Sequence, residues 1–334
     1  MTRTAIALFS GGLDSTLSIR LMQEQGIKVQ ALHFTSPFFG VSPDADCGKY
    51  DARRAADMIN VPLTIVSLGE EYLEMLRKPK HGYGKAINPC IDCHAYFLRK
   101  AKEIMLSSGA DFVITGEVLG QRPMSQRRDA LAIVERDGGM EGLLLRPLSA
   151  KLLPPTIPEI EGWVDREKLP SIKGRSRRVQ MRLAAELGVT EYPNAAGGCL
   201  LTELTYASKV RDIFDHSEHL KARDFRLLRI GRHFRLDAGT RFIVGRDNAE
   251  NDLLFANRIE GETAFRWDEG NGPLGLVIGE ITEDKLQIAA RILLRYTKCE
   301  KGSEAKMVLL TGSEDEQFNC VNSFLVEDTE KFRI

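Results

Sequence analysis

Thr4-Ala-Ile-Ala-Leu-Phe9 runs straight into Ser10-Gly-Gly-Leu-Asp-Ser15, a short apolar strand delivering the chain into a glycine turn that opens a helix. The apolar run is too short for a buried helix and is bounded by turn residues, which is the pattern of a buried strand. Two glycines let the backbone approach phosphates closely, and a helix N-terminus offers unpaired N–H groups and positive dipole to an anion. Ser10 and Ser15 can donate hydroxyl hydrogen bonds, and Asp14 can hold Mg²⁺ against a pyrophosphate. A serine-capped glycine turn without a ligand would show the same residues, but the strand–loop–helix setting favours the anion cradle. No Walker lysine follows, which argues against a kinase or GTPase.

The pattern continues outward from this junction. A helix runs to about Gln25 and is ended by Gly26; Lys28 to Phe34 reads as a second strand, Asp51 to Asn60 as a helix, and Leu63 to Ser67 as a third strand. Pro89 to Ser108 reads as a helix and Phe112 to Thr115 as a fourth strand. This alternation predicts the α/β class, a parallel sheet with helices on both faces and ligands at the carboxyl ends of the strands. A proline-rich stretch, Pro147 to Pro158, breaks the rhythm, and a helix is expected around Val179 to Leu187. Beyond about Leu220 the chain turns to β-branched and aromatic runs, with strands at Arg241 to Val244, Gly275 to Ile278 and Lys306 to Leu310 and a helix over Thr282 to Tyr296. We read a second, α+β domain there, giving domains 1–203 and 204–334.

The chain has 334 residues, 43% hydrophobic and 28% charged, an ordinary globular composition. No apolar run reaches the roughly 18 to 20 residues needed to span a bilayer, and no signal-peptide pattern opens the chain, so a cytoplasmic protein is expected. Six cysteines are too few and scattered for a disulfide scaffold. The net charge of −1 hides two basic windows, Trp163 to Arg182 at +5 and Lys221 to Arg246 at +6. Such segregation is the footprint of a polyanion binder, although solvated faces also produce it. In the first window Lys173, Arg175, Arg177 and Arg178 are candidate RNA contacts. In the second, arginines at 226, 229, 232 and 235 interleave with phenylalanines, a composition suited to phosphate contact and base stacking.

Asn88-Pro-Cys90-Ile-Asp-Cys93-His94 places two thiols together at a helix start, where the dipole is expected to favour thiolate. Cys199, in Gly197-Gly-Cys-Leu-Leu-Thr202, adds a third. Three thiolates can hold a [4Fe–4S] cluster with one iron open, or Zn²⁺ with a fourth ligand drawn from His94, Cys47 or water. Cys299 and Cys320 lack partner spacing and are expected to be structural. Gln121-Arg-Pro-Met-Ser-Gln126 follows the fourth strand closely enough to border the same site.

Ser10 to Ser15 resembles the SGGxDS signature of the PP-loop ATP pyrophosphatases, whose fold is of the adenine nucleotide alpha hydrolase kind. The resemblance implies that Ser10, Gly11, Gly12, Asp14 and Ser15 grip ATP with Mg²⁺, and that His33, Phe34 and Gly116 lie near the adenine. With the cysteines, it extends to the tRNA thiolation branch, the 2-thiouridine and 4-thiouridine synthases, over about residues 4 to 203. In its two-cysteine members the positions of Cys93 and Cys199 are the catalytic pair, with Asp14 at the nucleotide, while the position of Cys90 is often aspartate. A cysteine there resembles the iron–sulfur members instead, implying a [4Fe–4S] cluster on Cys90, Cys93 and Cys199 with zinc as the alternative. Gly231-Arg-His-Phe-Arg235 and Val244-Gly-Arg-Asp-Asn248 resemble the NFACT-R domain, which implies RNA contact through Arg232 and Arg235. The resemblance therefore implies ATP-dependent tRNA uridine thiolation, with tRNA and a sulfur donor (a cysteine desulfurase, sulfide or a carrier) as partners. Two other readings stand beside it: a PP-loop amide- or nitrile-forming synthetase with structural zinc, and a non-catalytic protein that binds nucleotide and RNA.

Overall fold

The computed structural model of the chain describes residues 2–39, 52–192, 199–310 and 316–334. Two compact units divide it, Met1–Glu203 and Leu204–Ile334.

In the first unit the elements run β1 (Thr4–Leu8), α1 (Leu13–Gln23), β2 (Lys28–Thr35), α2 (Ala52–Met58), β3 (Leu63–Ser67), α3 (Glu70–Arg77) and α4 (Cys90–Ser108). They continue through β4 (Phe112–Thr115), α5 (Arg128–Asp137), β5 (Leu144–Leu145), α6 (Ile157–Ile160) and α7 (Arg178–Glu186). The five strands form a parallel sheet in the order β3-β2-β1-β4-β5. Helices cover both faces, which is why β1 and β4 carry almost nothing polar: Ala5, Ile6, Phe112, Val113 and Ile114 are fully buried. The register pairs Leu8 with Thr115, so the chain leaves β1 and β4 side by side at their carboxyl ends. The strand order reverses direction about β1 there, which is where open α/β sheets bind ligands.

The second unit runs α8 (Leu204–His216), α9 (Ala222–Leu227), β6 (Arg232–Asp237), β7 (Thr240–Val244), α10 (Asn248–Ala256), β8 (Thr263–Trp267) and β9 (Leu274–Ile278). It closes with α11 (Glu283–Leu294), β10 (Glu304–Leu309), β11 (Glu316–Val321) and α12 (Val326–Glu330). Its strands form one antiparallel sheet, β11-β10-β8-β9-β7-β6. Phe242 and Phe265 stack across it at 5.5 Å, and Ile292 and Leu293 of α11 pack on the same core.

The bounds expected for the third and fourth strands match those observed, and most expected helices lose a residue or two at their ends. Helices α3 and α5 were not expected: each is a single amphipathic segment of eight to ten residues without a strong terminal signal. Among the described residues no helix is long and apolar enough to cross a membrane.

Candidate functional site

The glycine turn sits at the carboxyl end of β1. Gly11 adopts φ +74°, and a Cβ there would press on Ala52 Cα at 3.2 Å, so glycine is required twice over. Gly12 caps α1 without any side-chain hydrogen bond to the helix, leaving the first-turn amides open. Ser10 Oγ accepts from Gly12 N–H at 3.3 Å and lies 3.2 Å from Ser15 Oγ, so the two serines face each other across the turn. Gly116, leaving β4, closes the other side: a Cβ on it would come within 2.5 Å of the Ser15 nitrogen. Two backbone segments thus meet at the head of α1 with no room for a side chain between them.

Asp14 is the anchor of this corner. Its Oδ2 accepts from Gln121 Nε2 at 2.9 Å, while its Oδ1 and the Gln121 Oε1 are buried with no hydrogen-bond partner. An orphaned carboxylate oxygen beside an orphaned amide oxygen, in a place that excludes water, is an arrangement a hard divalent cation satisfies. In donor chemistry the pair fits Mg²⁺. Gln121 went unassigned in the sequence reading because its tie to Asp14 depends on β4 lying next to β1.

His33 and Phe34, expected beside the adenine, stand near the carboxyl end of β2. His33 Nδ1–H donates to the Phe9 carbonyl at 2.8 Å, and the Phe34 ring stacks on Phe97 at 5.2 Å in an aromatic cluster with Phe39 and Tyr72. The Phe34 ring thus packs β2 against α4, while His33 ties β2 to the end of β1.

Cys90 and Cys93 share one face of the first turn of α4, three residues apart. Asp92 between them accepts from the Lys80 and His81 backbone amides, both at 3.0 Å, and so ties the preceding loop to the helix. The Ile87 amide donates to the Leu201 carbonyl at 3.2 Å, drawing the Cys199 segment to the same place. All three thiols are free of disulfides. Burial pushes each of them up, and at Cys93 the neighbouring Cys90 and Cys199 push further, against the Tyr72 hydroxyl 3.3 Å away. The helix dipole was expected to favour thiolate; desolvation outweighs it, because Cys93 is only 8% exposed. Arg122 works the other way on both Cys90 and Cys199. Gln121 at the nucleotide corner and Arg122 near the thiols are thus consecutive residues, a link the sequence alone did not reveal.

In kind, three thiols fit a thiolate-ligated metal group. Among the described residues, however, no three His, Cys, Asp or Glu side chains converge closely enough to share an ion. Cys47, Gly197 and Gly198 lie outside the described residues. His94 gives its Nδ1–H to Glu117 Oε1 at 2.9 Å. Glu117 Oε2 accepts in turn from Arg146 Nε at 2.9 Å and Thr115 Oγ1 at 3.2 Å. Burial opposes the charge on Glu117, but Arg146 and His94 overcome it and hold the carboxyl at about 2.

That depressed value makes the network a contributor to stability that is complete above the unfolded carboxyl value of about 4.3 and fades as pH falls toward 2. Glu117→Gln is expected to cost on the order of 3 kcal/mol at neutral pH. It should also remove part of the acid slope of the urea midpoint between about pH 4 and 2. Parallel slopes for the two proteins would show that Glu117 does not carry it.

The basic loop Lys173 to Arg178 is laid against the exit of β4: Gly174 N–H donates to the Leu119 carbonyl at 2.8 Å. Among the described residues Lys173, Arg175, Arg177 and Arg178 form no ion pair, and all but Arg177 are exposed. On β6, Arg232 and Arg235 are three residues apart and so point to opposite sheet faces. Arg235 is bound by both oxygens of Asp212, its Nε at 3.0 Å from Oδ1, so its charge is already compensated. Arg232 has no carboxylate partner among the described residues. Cys299 contacts Ser303 Oγ at 3.3 Å and Cys320 is buried in β11, both within the second unit.

Residues 1–151 match the family model described as Thiamine biosynthesis protein (ThiI), and residues 231–333 match that of the NFACT protein RNA binding domain. A curated relative, the tRNA-specific 2-thiouridylase MnmA of Sulfurimonas denitrificans, is 30% identical over 126 residues, 36% of this chain and 36% of that protein. The corresponding protein of Syntrophotalea carbinolica is 32% identical over 123 residues, 33% of each. The chain thus spans about a third of the length of the curated relatives it matches. Among solved structures, a 4-thiouridine synthetase in complex with RNA and ATP is 19% identical with a TM-score of 0.35, covering 58% of this chain and 44% of that one.

Proposed function

From a chain that joins a PP-loop domain of the tRNA-thiolation family to a C-terminal NFACT-R domain, we propose an ATP-dependent tRNA uridine sulfurtransferase. The observation that carries the proposal is the pairing of an anion cradle with a thiol cluster through one short segment: Gln121 holds Asp14, and Arg122 bears on Cys90 and Cys199.

A uracil carbonyl carbon is a poor electrophile. Attack of its oxygen on the α-phosphorus of ATP releases pyrophosphate and leaves the oxygen bound to AMP. Sulfur at the sulfide level then attacks the ring carbon, and the oxygen departs with AMP, so the net exchange is oxygen for sulfur without oxidation. The turn amides at Gly11 to Ser15 bind the phosphates, and Asp14 with Gln121 would hold Mg²⁺ against the leaving pyrophosphate. Cys90, Cys93 and Cys199 are the residues that would hold a [4Fe–4S] cluster, which would supply sulfur at the sulfide level. Burial favours the protonated thiols until a metal or a cation competes for them, most strongly at Cys93, the buried one of the three. Lys173, Arg175, Arg177 and Arg178, without carboxylate partners among the described residues, are suited to gripping the RNA backbone while the base is splayed out of its stack. In the second domain Arg232 is the proposed RNA contact. Whether the 2- or 4-position is thiolated belongs to the test.

The protein is purified without oxygen, its iron, sulfide and zinc are measured per chain, and bulk tRNA is incubated with it, ATP, Mg²⁺ and sulfide before nucleoside mass spectrometry. Near four irons with a charge-transfer band around 400 nm and ATP-dependent thiouridine is the expected result. Stoichiometric zinc with no thiouridine would favour the small-molecule synthetase and sink the proposal.

A further inference from the structure

Two adjoining cavities lie in the second unit, and of the residues given a role above only Arg232 lines them. One, of about 250 Å³, is lined by Arg232, Arg246, Asn248, Asn271, Tyr296 and Asp247, whose Oδ1 accepts from the Glu250 N–H at 2.9 Å at the start of α10. The other, of about 260 Å³, is walled by Phe255, Leu274 and Leu310, with Arg266 and Asp252 at its edge. Asn251 and Gly272 line both, so the two form one bipartite hollow, polar at one end and largely apolar at the other. Together they fall within the roughly 300 to 1,000 Å³ typical of small-ligand sites.

The hollow is built rather than incidental. Asn251 Oδ1 accepts from Leu274 N–H at 2.9 Å and its Nδ2 donates to the Gly272 carbonyl at 3.3 Å, fixing the floor between α10 and β9. A Cβ on Gly245 would come within 2.1 Å of Asn251 Oδ1, so the wall at that point must be glycine. Arg246 is pinned by Glu250, with Nε 2.9 Å from both carboxylate oxygens.

Three features point to a missing ligand with an anionic group. The Arg232 guanidinium lies 4.5 Å from the Tyr296 ring centroid and spends one N–H on the Gly245 carbonyl at 3.3 Å; among the described residues no carboxylate neutralises it. The Tyr296 hydroxyl is buried with no hydrogen-bond partner. The side chains of Asn248 and Asn271 make no hydrogen bond among the described residues. A stacked cation without its anion, beside an unused hydroxyl and two free amides, suits a phosphate. At the other end Phe255 is 46% exposed, with the Arg258 guanidinium 5.4 Å from its ring centroid and Arg266 lining the same cavity, so a planar partner would stack on the exposed part of the ring.

We propose that this hollow holds one unpaired RNA nucleotide, its phosphate against Arg232 and Tyr296 and its base against Phe255. The inference rests on the RNA-binding reading of the second domain and gives that reading a site. Base–aromatic stacking at about 1–3 kcal/mol per base corresponds to roughly 5- to 150-fold in affinity, and one phosphate contact contributes a salt slope of about 0.7 on single strands.

The full-length protein is titrated with a fluorescent single-stranded oligouridine at several salt concentrations, with anisotropy as the readout. Arg232→Gln is expected to weaken binding at least about tenfold at physiological salt and to flatten the log–log salt slope by about 0.7. Phe255→Ala should weaken binding at least about fivefold with the slope unchanged. Tyr296→Phe, which keeps the ring and hence the fold, should weaken binding without altering the slope. Wild-type affinity in all three variants would overturn the site while leaving the RNA reading intact. Failure of the wild-type protein to bind the oligonucleotide would overturn both. Displacement of the RNA by free uridine monophosphate as effectively as by unlabelled oligonucleotide would overturn the RNA assignment and make the hollow a mononucleotide site.

Discussion

Asp14→Asn is expected to lower Mg²⁺-dependent pyrophosphate release from ATP by about 100- to 1,000-fold, the loss typical when one preorganised group that stabilises developing charge is removed. Asparagine keeps the shape of the side chain and can still meet Gln121, so the packing of the corner should survive. What disappears is the negative charge on a carboxylate whose Oδ1 is buried and unpartnered beside the equally unpartnered Gln121 Oε1. Without that charge a dication has only neutral oxygens to hold it. The first turn of α1 also loses its acidic residue, a loss of about 0.3 to 1 kcal/mol at most, too little to unfold the unit. Binding of Mn²⁺ in the presence of a non-hydrolysable ATP analogue, followed by its electron-paramagnetic signal, separates the two contributions. The variant should bind the analogue in chelator nearly as well as wild type but gain little from Mn²⁺. Equal Mn²⁺ affinity in the two proteins would remove Asp14 from the metal role.

The nucleotide corner was legible in the sequence because its parts are contiguous. A strand, a glycine turn and a helix start within six residues of one another need no knowledge of tertiary structure, and β3 and β4 could be bounded by β-branched runs between turn residues. What was hidden depends on strand order. Gln121 and Asp14 are 107 residues apart and meet only because β4 pairs with β1. The thiol proton affinities were misjudged for a related reason. Helix position is readable from spacing, whereas the burial that pushes Cys93 up depends on packing between elements, with Tyr72 of α3 against its thiol. The arginines at 226, 229, 232 and 235 are evenly spaced in the sequence but divided in the fold: Arg226 lies on α9 and the last two on β6, where odd steps alternate faces. Arg235 then finds Asp212 of α8, a partner no local pattern announces.

Cys93→Ala should separate the two halves of the proposed reaction. Thiouridine formation is expected to fall at least about 1,000-fold, since the substitution removes a group for which neither neighbouring thiol can stand in. ATP cleavage stimulated by tRNA should stay within a few fold of wild type, because the anion cradle, Asp14 and Gln121 are untouched. Structurally the change is small: the thiol is buried and its one polar neighbour, the Tyr72 hydroxyl, lies 3.3 Å away and loses only a weak partner. A stability loss of about 1 to 2 kcal/mol is consistent with one buried atom removed and a hydroxyl left unpaired. Iron and sulfide per chain, measured on the same anaerobic preparation, give a readout independent of turnover and should fall with product. Cys299→Ala is the matched control, since that thiol meets Ser303 in the other unit and should leave iron content and thiouridine yield unchanged. If Cys93→Ala keeps both its iron and its product, sulfur transfer does not run through this cluster. If it loses iron but keeps full product, the metal group is structural and the sulfur must be delivered by Cys90 or Cys199.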